Sequence, residues 1–342
     1  MQDDLLQVKT VRAPEFSAGE WLNTDRPLQM KTLRGRAVLV DFWEYSCINC
    51  LRTLPYLREW HARYAGKGLT IIGVHSPEFP FGREKTQIQM AVEELQIPYP
   101  VLLDNDFKTW DAYANRFWPS KYLIDQNGYI RYQSHGEGGY EAFEQAIQAV
   151  LREGDSNLDL PPVMQPIRDE DRAGAVCYRP TPELHAGLDR GALGNPEGYG
   201  GRVPMVYSIP KNRTPGSFYV SGAWKAGEQF LAYEGQTEAL IQIPYDAVEV
   251  NAVLSPHVET IERMLHPETV SVEIWQDDLP LTEAIRGDDV TEDGRVLVDR
   301  PRMFNLIRNP GFERHELTLR VKSRGFALYA FSFTGCVKGS DS

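Results

Sequence analysis

Ala37-Val38-Leu39-Val40-Asp41-Phe42-Trp43-Glu44-Tyr45-Ser46-Cys47-Ile48-Asn49-Cys50 is the stretch on which the reading of this chain turns. Residues 37–43 are apolar or aromatic apart from Asp41, and the run is short, which marks a strand buried within a sheet. Beyond it Leu54, Leu57, Trp60 and Tyr64 recur at helical spacing until Gly66 and Gly68 break the pattern. The two cysteines therefore fall where a strand ends and a helix begins.

Working outward, 69–75 is a second buried strand, 86–95 an amphipathic helix, 101–103 a short strand and 107–113 a short helix. Residues 121–124 and 129–132 form a hairpin about Asp125-Gln126-Asn127-Gly128, and 140–151 closes the unit as a helix. Alternation of this kind signals a sheet with crossover helices. From 154 to about 171 the pattern gives way to Asp, Asn and Pro, including Pro161-Pro162. After it come short alternating runs at 218–224, 229–234, 239–243, 248–254, 270–275, 295–298, 316–321 and 326–333, the spacing of a β-sandwich, jelly-roll-like. We expect domains over 1–155 and 179–342, linked by 156–178. Gly191 to Gly201 lacks the strand and helix of a phosphate cradle and reads as a surface loop.

The chain has 342 residues, 42% hydrophobic and 25% charged, which are globular values. Its formal net charge of −12 argues against a nucleic-acid partner, whose phosphates call for a basic patch. No apolar run approaches the ~20 residues of a membrane span. The acidic start, Met1-Gln2-Asp3-Asp4, has no secretory character, so the expected compartment is the cytoplasm, with export left to the family resemblance below. Four cysteines, at 47, 50, 177 and 336, are too few for a disulfide scaffold and leave no second close pair for a structural zinc. No cofactor or metal is expected.

Two thiols three positions apart can close a reversible disulfide, and the helix start stabilises the first as thiolate, drawing its pKa down from ~8.5. Cys47 is thus the expected nucleophile and Cys50 the resolving thiol. Asp41, six residues before Cys47, is costly to bury as a carboxylate; a raised pKa would let it exchange a proton with Cys50. Pro119 follows Trp118 just before a strand, where a cis bond would leave backbone groups open to a substrate strand.

Taken together, Trp21-Leu22-Asn23, Val40-Asp41-Phe42-Trp43, Tyr45-Ser46-Cys47-Ile48-Asn49-Cys50, Ile72-Gly73-Val74-His75-Ser76-Pro77-Glu78-Phe79, Leu103-Asp104-Asn105-Asp106, Trp118-Pro119-Ser120-Lys121-Tyr122 and His135-Gly136-Glu137-Gly138 resemble the thioredoxin-like family. The likeness is narrower to DipZ-type proteins and to the related domain of NHL-repeat proteins. It implies a thioredoxin fold, a cis Pro119 opposite Cys47 and dithiol–disulfide exchange with a protein client and an unknown redox partner. The region from about 180 to 336 resembles the carbohydrate-binding-module-like sandwich of DipZ-type proteins, through 218–224 and 327–333. The membrane-embedded part of those proteins has no counterpart in this sequence.

Ile48 and Asn49, where ordinary thioredoxins carry Gly-Pro, are expected to tune the potential. Glu78, Glu137 and His75 are candidates for proton traffic, and Trp43 and Trp118 for shielding the disulfide. In the second domain Trp224, Tyr233, Tyr245 and Trp275 would stack on a glycan if exposed, although alternating aromatics favour a core. Cys177 and Cys336 flank that domain: a disulfide is open to them if its ends meet, and free thiols are the expectation in a reducing cytoplasm. Two other functions fit the same letters. One is a thiol peroxidase, for which the Thr and Arg around the nucleophile are not evident; the other is an adaptor that binds a glycan or protein through its sandwich.

Overall fold

The computed structural model describes residues 5–201, 203–265 and 267–337, which divide after Arg172 into two compact units. In the first unit the strands are β1 (Glu20–Leu22), β2 (Ala37–Trp43), β3 (Leu69–His75), β4 (Val101–Leu103), β5 (Ser120–Ile124) and β6 (Ile130–His135). They form one sheet in the order β1-β4-β3-β2-β5-β6. β2, β3 and β4 run parallel, and β1, β5 and β6 are antiparallel to their neighbours. The helices are α1 (Ile48–Tyr64), α2 (Lys85–Glu94), α3 (Lys108–Ala112) and α4 (Tyr140–Gly154). This is the thioredoxin fold that the sequence implies, with β2 at the centre and the cysteines at its mouth.

Every residue of β2 is buried, so both faces of the sheet are covered. Val38, Val40 and Phe42 point into a core with Ile72, Val74, Tyr122, Ile124 and Trp110. By the alternation of a strand, Leu39, Asp41 and Trp43 point to the other face. There Trp60 of α1 stacks on Phe143 of α4 with centroids 5.3 Å apart. Residues 156–171, within the stretch expected to join the domains, lie along these two helices. Lys67 donates to the Asp159 carbonyl, Gln148 to that of Pro161, and the Met164 N–H to Glu144. The Tyr56 hydroxyl accepts the Ile167 N–H and donates to Asp171 at 2.7 Å.

The second unit is built mainly of β-strands, with one short helix at Thr260–Leu265. Two long strands, Ala239–Ser255 and Arg302–Val321, pair along their lengths, with register shifts near Val248 and Val250. Beyond those shifts Ala239–Ser255 also pairs with Ala327–Thr334 on its other edge. Val270–Gln276 takes the far edge of Arg302–Val321. Their inward side chains form one core, a β-sandwich interior that includes Ile241, Ile243, Leu254, Ile274, Leu319 and Phe331. The separate runs expected at 239–243 and 248–254 are thus one strand, bulged where they meet. Trp224, Tyr233 and Tyr245 are fully buried in this core, and only Trp275 is half-exposed, with the Arg320 guanidinium 4.4 Å above its ring. The 191–201 loop is pinned by buried Asn195, whose side chain bridges both backbone groups of Val220.

One expectation is corrected. Cys177 and Cys336 are not free thiols but a disulfide, with Cα atoms 3.9 Å apart. Val176–Cys177 and Cys336–Val337 pair as antiparallel strands with the two cysteines in register, a closure that sequence separation conceals. No helix among the described residues is long and apolar enough to cross a membrane.

Candidate active site

β2 delivers the chain to the start of α1, and Cys47 is the residue that caps the helix. The Cys50 N–H donates to Cys47 Sγ at 3.4 Å, so one of the free donors of the first turn is aimed at the first sulfur. Cys47 is half-buried, whereas Cys50, one turn on, is 1% exposed. The two sulfur-bearing side chains close to 2.8 Å. Burial pushes the Cys50 thiol well above its ordinary pKa, and its contact with Cys47 adds to the shift. One thiol can therefore meet an incoming disulfide, while the other must be deprotonated before it can react.

Asp41 lies close enough to the pair that its charge adds to the rise of the Cys50 pKa. Its side chain is buried and neither oxygen accepts a hydrogen bond. Burial lifts its pKa from 3.8 to about 7, with Lys121 pulling the other way. An acid with that affinity exchanges protons near neutral pH. The register partner of Asp41 on β3 is Gly73, whose missing side chain makes room for Trp43 and Tyr99. A Cβ at Gly73 would stand 2.9 Å from Trp43 Nε1 and 3.4 Å from the Tyr99 ring.

The Trp118–Pro119 bond is cis. Pro119 is buried, its carbonyl accepting the Gly136 N–H, and Trp118 is half-exposed with its indole N–H on the Ser76 carbonyl at 3.0 Å. Trp43 is wholly buried, edge-on to His75, so it belongs to the core rather than to a surface shield. Ile48 and Asn49 are half-buried in the first turn of α1. Glu78 is half-buried in the turn after β3. Glu137 is held by Arg52 at 3.5 Å and Arg168 at 3.6 Å, and burial raises its pKa against both cations.

Two residues here escape a reading of the letters. Glu44 is buried, accepts both the N–H and the hydroxyl of Ser46, and receives the Cys47 N–H on its own carbonyl. Lys121 is also buried, although lysine is rarely so. The signal for Lys121 was its place in β5, in an otherwise buried strand that pairs with β2. Glu44 carries no such signal, because its partner His75 is on another strand.

Comparison with known proteins agrees with this geometry. Residues 10–133 match the AhpC/TSA family and residues 181–334 the thioredoxin-like C-terminal domain. Protein DipZ of Mycobacterium bovis is 35% identical over 241 residues, covering 68% of this chain and 33% of that protein. The chain thus spans about a third of that relative. NHL repeat-containing protein 2 of Homo sapiens is 39% identical over 128 residues, 36% of this chain and 18% of its own. Thiol-disulfide oxidoreductase YkuV of Bacillus subtilis is 27% identical over 141 residues, 41% of this chain and 94% of its own. In one chain, residues 10–133 are thus similar to the AhpC/TSA family and residues 181–334 to the thioredoxin-like C-terminal domain, and the relatives include a thiol-disulfide oxidoreductase.

Proposed function

We propose that the chain exchanges disulfides with protein clients, Cys47 attacking and Cys50 resolving. The observation that carries this is the inequality of the sulfurs: Cys47 is reachable at the cap of α1, and Cys50 is sealed behind it. Attack of the Cys47 thiolate on a client disulfide forms one Cys47–client bond and releases one client thiolate. Asp41 then takes the Cys50 proton, and the Cys50 sulfur attacks Cys47 Sγ. The Cys47–Cys50 bond forms as the client's second sulfur leaves with the electron pair. Half-exposed Trp118, which precedes the cis Pro119, is the docking point for the client backbone. The Cys177–Cys336 bond supports an oxidising compartment rather than the cytoplasm.

The test uses Cys50→Ser and Cys47→Ser in the full chain with a disulfide-bonded model protein. Cys50→Ser should trap a mixed disulfide visible on a non-reducing gel, and Cys47→Ser should trap none. No trapped client, together with oxidation of the parent by peroxide far faster than by the protein disulfide, would replace this reading with the peroxidase one.

A further inference from the structure

Tyr56 of α1 and Tyr140 at the start of α4 stack face to face, with ring centroids 3.5 Å apart and planes 8° from parallel. They line a cleft of about 420 Å³ in the first unit, together with Met164 and Pro166 of the segment after α4. That segment is fixed in place, since Glu144 holds the Met164 N–H and the Tyr56 hydroxyl holds the Ile167 N–H. Clefts above roughly 300 Å³ with aromatic linings are ligand sites in size, and this one admits a long side chain with its adjoining backbone.

The charge of the cleft is one-sided. Glu141 and Asp171 line it, and no lysine, arginine or histidine does among the described residues. Asp171 Oδ2 accepts the Tyr56 hydroxyl at 2.7 Å and lies 3.8 Å from Arg168, but Oδ1 accepts no hydrogen bond. Glu141 Oε1 accepts the Gln145 amide at 3.2 Å, and Oε2 is likewise open. Arg168 is shared with Glu137 and Glu170, so it does not neutralise the acids around it. An occupant that covers the tyrosines and Met164 and also serves two open carboxylate oxygens has an alkyl stem and a cationic head, as lysine and arginine do.

The cleft is joined to the cysteines. Thr53 Oγ1 donates to the carbonyl of Asn49, which stands between them, and lies 3.2 Å from the Tyr140 hydroxyl. Gly136, whose N–H is held by the Pro119 carbonyl, is three positions from Gly139 at the cleft. That is about 10 Å of chain at most. We propose, resting on the exchange reading above, that this cleft is a specificity subsite of the reaction, taking a lysine or arginine that stands a few residues from the client cysteine attacked by Cys47. No bond changes at the subsite; it contributes binding on the way to the mixed disulfide and so ranks clients by rate.

The experiment measures the second-order rate constant with which the reduced full chain reduces disulfide-bonded peptides. The peptides are identical except at one position, scanned along both sides of the cysteine, where lysine, norleucine or glutamate stands. At one spacing the lysine peptide should exceed the norleucine peptide by about tenfold, the worth of one charge-assisted hydrogen bond. Glu141→Gln and Asp171→Asn should each lower that ratio severalfold, and Glu141→Lys should turn the preference towards glutamate. The ratio is taken within each variant, so a general loss of activity cancels. Glu141→Gln, on the exposed first turn of α4, serves if Asp171→Asn does not fold. Equal rates for lysine and norleucine at every spacing, or a lysine preference unchanged in the neutral variants, overturns the proposal. So does a lysine preference of the same size at every spacing, which the net charge of −12 alone would give. Reduction of none of the peptides, with no client trapped by Cys50→Ser, instead sinks the exchange reading itself.

Discussion

Oε1 of Glu44 lies 3.7 Å from Nε2 of His75, and neither side chain reaches solvent. Because the other carboxylate oxygen holds Ser46, this pair ties the end of β3 to the loop that presents Cys47. Removing one of two buried polar groups that face each other leaves the other without its neighbour, at about 1–3 kcal/mol. We expect Glu44→Gln and His75→Gln each to be strongly destabilising, and the double variant to lose at least about 1 kcal/mol less than the sum. Urea unfolding of the full chain measures this; additive losses would mean that the two residues act independently.

Asp41 makes stability depend on pH in a defined direction. Its pKa rises from 3.8 unfolded to about 7 folded, so between these values the folded chain holds a proton that the unfolded chain has released. Stability therefore falls as pH climbs through that window, by roughly 4 kcal/mol overall. Asp41→Asn should match the parent near pH ~4 and exceed it near pH ~8 in urea midpoint. The same gain at both pH values would point to packing instead of ionisation.

The clasp between Cys177 and Cys336 predicts a thiol count. Denatured without reductant after selective reduction of the active-site pair, the chain should show Cys47 and Cys50 as its only reactive thiols. Replacing both clasp residues with serine should cost the second unit about 5 kcal/mol, the chain entropy of so long a loop. Four reactive thiols before any reduction would remove the bond from the protein.

Gly73 predicts a steric effect next to the site. Its missing side chain leaves room that Trp43 and Tyr99 fill, and a methyl there meets Trp43 Nε1 at 2.9 Å. Gly73→Ala should destabilise by about 1–3 kcal/mol through overpacking. It should also slow client resolution, since Asp41 is the register neighbour. A variant as stable and as fast as the parent would show that the indole gives way.

The first unit was readable because its signals are local. The apolar run at 37–43 and the break at Gly66 and Gly68 bracket β2 and α1 closely, and 69–75 coincides with β3. Edge strand β1 escaped notice because three residues with a glutamate carry no periodicity. In the second unit the run expected at 316–321 is only the end of Arg302–Val321, a strand that continues through Pro310 and Gly311. These two residues fall in the irregularity between Arg308 and Glu313, where no register pair forms, and the pairing with Ala239–Ser255 on either side carries the strand through. The cysteines and Asp41 were visible from spacing within one segment. Lys121 and Glu44 were not, because what makes each unusual is a neighbour brought across the sheet.

The sulfur bridge that closes the second unit also changes how that unit bears load. The chain enters at Cys177 and leaves at Cys336, and the two positions are covalently one point. A pull applied along the polypeptide through those positions passes across a single sulfur–sulfur bond, and the span between them, a sequence separation of 159, stays slack. The sandwich is then mechanically shielded: tension cannot peel its strands until a reductant opens the bond, whereupon the same tension falls on Ala239–Ser255 and Arg302–Val321.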